Sequence, residues 1–377
     1  MIYLDNAATM FPRPDCVKDA VLHALDMAGN PGRSAHEAAF AADEMMEQTR
    51  QSLCRLFHAE EDYACVFAQN ATDALNMAIP GSLNEGDHAV TTMMEHNSVL
   101  RPLYALQKTR NVELTIVPPD EMGIIRPAQI EKALQKNTKL VIVTHVSNVT
   151  GAIMPVQEII NVCRRHGIPC LIDASQAAGH MAVDLQSLQA DLVAMPGHKG
   201  LCGPQGTGVL FVKNGTDLSP TRFGGTGILT FSQEMPQEYP SHLEAGTQNV
   251  HGIAGLGAGV RMLQEKGVEN IAAHEKELTE HLLSELTNFP DVVIYSPQDA
   301  AYRSGVVSFN IASIDPSHIA NALAQEHICV RAGFHCAPLA HKCMNTTHCG
   351  AVRVSFSMFN THDEVDSFLS TLRRIIR

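Results

Sequence analysis

Lys199, Asp173, Cys336 and Arg353 are the residues whose types and settings best suit chemistry. Lys199 lies in MPGHKGLCGPQGTG (195–208), a glycine-rich turn directly after an apolar run, with His198 beside it. A lysine so placed is suited to hold a carbonyl cofactor as a Schiff base, although the segment alone also reads as a surface loop. Asp173 ends the neighbouring run LIDASQ. A carboxylate there can pair with a pyridinium nitrogen and make the ring an electron sink, or it can cap the next helix. Lysine and aspartate together are the pair that pyridoxal-phosphate chemistry uses. Further on, Cys336, Cys343 and Cys349 interleave with His335, His341 and His348. That cluster reads as metal ligands, as a reactive centre, or as chance. A zinc-binding scaffold is the remote alternative of a different class, and the spacing argues against it because it differs from the closely spaced knuckles of structural zinc sites.

The elements that must position these residues alternate short β-branched runs with amphipathic stretches. KLVIVTHVS (139–147) and PCLIDAS (169–175) read as strands, and VQEIINVCRRHG (156–167) between them reads as a helix with a glycine stop. DLVAM (191–195) and GVLFV (208–212) read as two more strands. Residues 60 to 215 therefore predict an α/β fold with a mostly parallel sheet, whose ligands sit beyond the carboxyl ends of its strands. Asn148, Asp173, Gln176, His198 and Lys199 all follow such runs. Residues 216–250 read as a long ordered loop, followed by a helix pair and a smaller β-containing module from about residue 290. GIAGLGAGV (252–260) lacks both the third glycine and the preceding strand of a dinucleotide fingerprint, so its small residues predict close helix packing.

Composition narrows the function classes. The 377 residues carry 27 Lys plus Arg and 40 Asp plus Glu, hence a net charge of 27 − 40 = −13. No basic patch favours a nucleic-acid partner. No apolar run is long enough to span a membrane, and Asp5 falls where a signal peptide needs an apolar core, so the expectation is a cytoplasmic protein. Ten scattered cysteines without a C-x-x-C pair predict free thiols, most of them small buried hydrophobes.

YLDNAAT (3–9), NPGRSAH (30–36), QNATDALNMA (69–78), MEHNSV (94–99), HVSNVTG (145–151), LIDASQAAGH (171–180), PGHKG (196–200), EAGTQN (244–249), RAGFHCAPLAH (331–341) and VRVSFSMFNTHDEVD (352–366) occur in the order seen in cysteine desulfurases. The chain thus resembles the cysteine desulfurase and selenocysteine lyase branch of the class V aminotransferase-like, fold-type I pyridoxal-phosphate enzymes, over nearly its whole length. The resemblance implies a large cofactor-binding domain over 16–255, with a mostly parallel seven-stranded-type sheet, and a smaller α+β domain made by 1–15 with 256–377.

It also implies the site. Lys199 would be the Schiff-base lysine and the shuttle for the substrate Cα proton, Asp173 the partner of the pyridine nitrogen, Gln176 a hydrogen-bond donor to the phenolic oxygen, and His96 a catalytic ring that stacks on the cofactor and serves in proton transfer. Ala71, Thr72 and His198 would contact the phosphate, and Thr247 would reach the phosphate of the neighbouring subunit in a homodimer. Pro196 stands where many relatives carry serine, and it supplies neither a hydroxyl nor an N–H. Arg353 and Asn148 would bind the substrate carboxylate, and Asn148 would also contact the cofactor's phenolic oxygen.

Cys336 is the residue on which the implied reaction turns: its thiolate would take sulfur from L-cysteine as a persulfide, leaving L-alanine, with His335 a candidate helper. The separation 353 − 336 = 17 residues resembles the short-loop, group II type, which implies a less mobile cysteine and either a dedicated sulfur-acceptor protein or a preference for L-selenocysteine. A selenocysteine lyase, an aminotransferase and a cysteine lyase are the competing activities. No metal is expected at the site.

Overall fold

The computed structural model describes residues 1–32 and 35–376; Arg33 and Ser34 of the NPGRSAH motif lie outside the described residues. The central sheet has seven strands in the order Tyr63–Ala68, Gly208–Lys213, Leu192–Pro196, Cys170–Asp173, Thr138–Thr144, His88–Thr92 and Glu113–Val117. Only Gly208–Lys213 runs antiparallel to its neighbours; the other pairings are parallel. The central strands are apolar on both faces because both are covered. Leu140 and Ile142 enter one core while Val141 and Val143 enter the other, as a period of two requires. The helix Val156–Arg165 buries Val156, Ile159, Ile160 and Cys163, and the chain then turns at Gly167 with φ 65°.

The expected strands and helix are therefore present with boundaries that differ by at most three residues. The segment between Lys213 and Val250 has no helix or strand, yet it is ordered: both ring nitrogens of buried His242 are bonded, to the carbonyls of Pro236 at 2.6 Å and Leu218 at 2.7 Å. The glycines of GIAGLGAGV lie on the helix Val250–Lys266, which packs on Asp15–Met27 and Glu37–Phe57. A Cβ at Gly257 would stand 2.3 Å from Thr49 Oγ1, and one at Gly259 would stand 2.5 Å from the Leu201 carbonyl oxygen.

A second sheet orders Arg331–Gly333, Ala351–Ser355, Val306–Ile311 and Val292–Ile294, all antiparallel, with Leu4 in the core beneath it. The strand Ile2–Tyr3 pairs in parallel with Ile328–Cys329. The helix Val250–Lys266 runs unbroken through 255/256, where the sequence reading divides the chain; the first backbone break is Gly267, with φ 77°. The cysteines also differ from expectation. All ten are free, but only Cys65, Cys163, Cys170 and Cys202 are buried, while Cys16, Cys336 and Cys343 are exposed. Apolar periodicity places backbone faces, and a cysteine outside such a face carries no burial signal.

Candidate active site

The carboxyl ends of the parallel strands open into a cavity of about 210 Å³. Ala71, Thr72, His96, Asn148, Asp173, Gln176, His198 and Lys199 all line it. Lys199 follows the strand Leu192–Pro196, and Asp173 is the last residue of the adjacent strand Cys170–Asp173. Burial lowers the Lys199 pKa to about 8, with Arg353 and Arg331 adding to the effect and Asp173 opposing it. Asp173 is itself buried, and its Oδ1 accepts hydrogen bonds from the Ser175 N–H at 3.0 Å and the Ser175 hydroxyl.

One end of the cavity is shaped for an anion. Asn70 caps the helix Ala71–Ser82, its side chain accepting from the Asp73 N–H at 2.9 Å, so the Ala71 and Thr72 amides lie in the first turn, where a helix has no internal acceptors. Gly208 lets the neighbouring strand approach this turn, since a Cβ there would stand 2.6 Å from the Asn70 carbonyl carbon. Pro196, paired with Gly208 in the sheet, forms wall rather than donor. His198 Nδ1 lies 3.0 Å from Thr9 Oγ1, and its pKa is lowered to about 4 by burial and by the Lys199 and Arg13 charges. A helix-start anion cradle, a half-buried lysine and a buried carboxylate in one cavity fit the phosphorylated pyridine expected from the sequence.

His96 forms another wall. Its Nδ1 accepts from the Ser98 N–H at 3.0 Å, which places the neutral ring's proton on Nε2, and burial beside Lys199 lowers its pKa to about 4. Gln176 donates to the Ala7 carbonyl at 2.9 Å, leaving its second amide N–H for a ligand.

Arg353 and Cys336 reach the cavity through Asn148. Arg353 lies on the strand Ala351–Ser355, buried, and its Nη1 donates to the Asn148 carbonyl at 2.9 Å while Nη2 pairs with Asp5 at 2.7 Å. The Asn148 side chain donates to the His335 carbonyl at 2.7 Å, and the Asn97 N–H donates to the Cys336 carbonyl at 2.7 Å. Cys336 is exposed, three residues after Gly333, at which the strands Arg331–Gly333 and Ala351–Ser355 still pair.

His335 does not suit the role of helper base. Its ring is buried and stacked on His341 at 5.7 Å, and burial with the Arg353 charge lowers its pKa to about 2. Among the described residues no three His, Cys, Asp or Glu side chains converge as a metal site. Thr247 is exposed on the long loop and does not line the cavity.

Residues that sequence reasoning left without a role also build the site. Thr9 orients His198, Ser98 and Ser175 fix His96 and Asp173, and Asp5 holds Arg353. Each lies in or beside a quoted motif, and spacing of two from His96 and Asp173 was a usable signal for the two serines.

A family model for class-V aminotransferases matches residues 2–368, and a seven-stranded α/β sheet with Lys199 and Asp173 at its ligand-binding edge is the corresponding architecture. The chain belongs to that class. Within it, the chain is a member of the cysteine desulfurase family: it is 35% identical to a probable cysteine desulfurase of Halalkalibacterium halodurans, the match covering 99% of this chain and 93% of the relative. A cysteine desulfurase of Escherichia coli O157:H7 is 33% identical over 100% of this chain and 94% of its own length. The apo structure of the cysteine desulfurase from Thermococcus onnurineus superposes with a TM-score of 0.92 at 32% identity, covering 100% of this chain and 94% of that one.

Proposed function

We propose that the chain is a pyridoxal-phosphate-dependent cysteine desulfurase that converts L-cysteine to L-alanine and carries the sulfur as a persulfide on Cys336. The observation that carries this reading is Asn148, which lines the Lys199 cavity and binds the backbone beside Cys336. Ala71 and Thr72 amides and His198 would hold the phosphate, Asp173 would pair with the ring nitrogen, Gln176 would donate to the phenolic oxygen, and His96 would cover one face. Bound pyridoxal phosphate supplies an electron sink for the pair left when the Cα proton departs.

Lys199, with its pKa near 8, holds a free amine in useful amount close to neutrality and moves the Cα proton. Arg353 and Asn148 orient the substrate carboxylate. The Cys336 thiolate then attacks the substrate sulfur; an S–S bond forms, the Cβ–S bond breaks, and its electron pair stays with the carbon skeleton, which is protonated and leaves as L-alanine.

The short, tied loop supports the group II type and a sulfur-acceptor protein that docks at Cys336. We further assign a homodimer in which Thr247 reaches the neighbouring phosphate, a cytoplasmic setting, and a domain division at Gly267. No helix among the described residues is long and apolar enough to cross a membrane. The test is alanine release from L-cysteine and from L-selenocysteine by wild type and Cys336→Ala. Loss with L-cysteine alone is expected, because the weaker C–Se bond can break without the thiolate. Undiminished L-cysteine turnover by the variant overturns the persulfide.

A further inference from the structure

One hydroxyl in the cavity has no part in the steps above. Ser98 is buried in the first turn of the helix Asn97–Thr109, and it lines the cavity together with Thr72 and His96. Its Oγ lies 2.7 Å from Thr72 Oγ1 and 2.9 Å from His96 Nδ1. The start of one helix is thereby joined to the start of the other.

Counting hydrogens gives these contacts a direction. An accepting imidazole nitrogen has one lone pair, and His96 Nδ1 already receives the Ser98 N–H at 3.0 Å. Thr72 Oγ1, with two lone pairs, is therefore the better acceptor for the Ser98 hydroxyl. With Ser98 donating, the Thr72 hydrogen no longer lies between the two oxygens and is free for another acceptor. The other two hydroxyls lining the cavity are committed: Thr144 donates to the Val146 carbonyl at 3.0 Å and Ser175 donates to Asp173. Pro196, also in the cavity wall, has no donor to offer. Among the described residues, only the Thr72 and Ser98 pair brings a hydroxyl hydrogen to spare.

We propose that Ser98 is a positioning residue for anion binding: by donating to Thr72 Oγ1 it turns the Thr72 hydrogen toward a phosphate in the cavity, supplying through a hydroxyl pair the donor that Pro196 lacks. This rests on the cofactor reading above. A purely structural Ser98 would serve only the start of its own helix and the setting of His96.

Ser98→Ala removes the hydroxyl and leaves the N–H that His96 accepts. The measurement is the dissociation constant of pyridoxal divided by that of pyridoxal phosphate, each ligand titrated spectrophotometrically into the full-length protein freed of cofactor. Both ligands carry the same ring, so damage to the helix or to His96 weakens both and cancels, whereas loss of an oriented donor weakens pyridoxal phosphate alone. The ratio is expected to fall about fivefold in Ser98→Ala, the scale of one hydrogen bond. A ratio equal to that of the wild type overturns the proposal.

Should Ser98→Ala fail to fold, Ser98→Cys keeps the side-chain shape while giving up a strong donor, and it is titrated with the same two outcomes. Failure of the cofactor reading is separately visible, as a wild-type protein that shows no spectral change with pyridoxal phosphate.

Discussion

Replacing Lys199 by methionine in the cofactor-free protein isolates the electrostatic cost of the lysine. The native pKa near 8 lies below the ordinary 10.5 because burial outweighs the favourable field of Asp173. At pH below 8 the amine is charged in both folded and unfolded chains, and the folded state bears the full penalty. Between pH 8 and 10.5 the folded amine is neutral while the unfolded one still binds a proton, so wild-type stability rises with pH. The difference of 10.5 − 8 corresponds to at most about 3.4 kcal/mol, and partial exposure of the side chain reduces the expected value to about 1–2 kcal/mol. Methionine fills similar volume and has no charge to desolvate. Lys199→Met should therefore be the more stable protein at pH 7, with the advantage vanishing by about pH 10.5. Urea titrations of both apoproteins across this range provide the assay. A methionine variant less stable at pH 7, or a gap that does not shrink with pH, refutes the argument that burial keeps the amine free near neutrality.

Gly208→Ala should press its methyl against the Asn70 backbone, 2.6 Å away, and displace the first turn of the helix Ala71–Ser82. The expected cost is about 1–3 kcal/mol of stability, with weaker cofactor binding in a spectrophotometric titration of the apoprotein; unchanged affinity would show that this turn does not hold the phosphate. Glu95→Gln tests the carboxyl buried behind His96, whose Oε1 accepts from Thr92 Oγ1 at 2.6 Å and from the Thr144 N–H at 3.0 Å. Burial raises its pKa from 4.5 to about 8, so the folded state binds the extra proton and wild-type stability falls as pH climbs through that window. Glutamine keeps the acceptor, and its advantage should grow to about 2–4 kcal/mol by pH 8; thermal melts showing a pH-independent gap would contradict this.

How much of this was legible beforehand follows from the range of the interactions. The strands around Leu140, Leu171 and Leu192 are local apolar runs, and the residues after them had to meet at one sheet edge, so Lys199 and Asp173 could be placed together from pattern alone. The contacts that fix those side chains join distant parts of the chain. Thr9 bonds His198, Ala7 accepts from Gln176, and Asp5 pairs with Arg353. No periodicity links residues so far apart. The environment of His335 was hidden for the same reason: its motif suggests a base beside a thiol, whereas stacking on His341 and burial leave it a poor proton acceptor. The helix at 250–266 and its close packing were legible from its small residues, which approach Thr49 and Leu201, whereas the domain boundary at 255/256 fell inside that same helix.

The backbone at Cys336 shows why the sulfur site depends on its surroundings. His335 and Cys336 have φ of 49° and 55°, two successive non-glycine residues in the left-handed region. Such conformations cost about 1–3 kcal/mol each and persist where neighbouring contacts over-determine them. Asn148 and Asn97 supply those contacts from two different elements, one from the loop after the strand Thr138–Thr144 and the other from the start of the helix Asn97–Thr109. The same Asn148 receives Arg353 on its carbonyl oxygen. In the proposed reaction, substrate-carboxylate binding and cysteine placement would therefore share one residue, since Asn148 bonds both Arg353 and the backbone beside Cys336. With the carbonyls of His335 and Cys336 both bonded, the exposed Cys336 side chain is tethered in place, and the acceptor of the proposed reaction would have to approach it there.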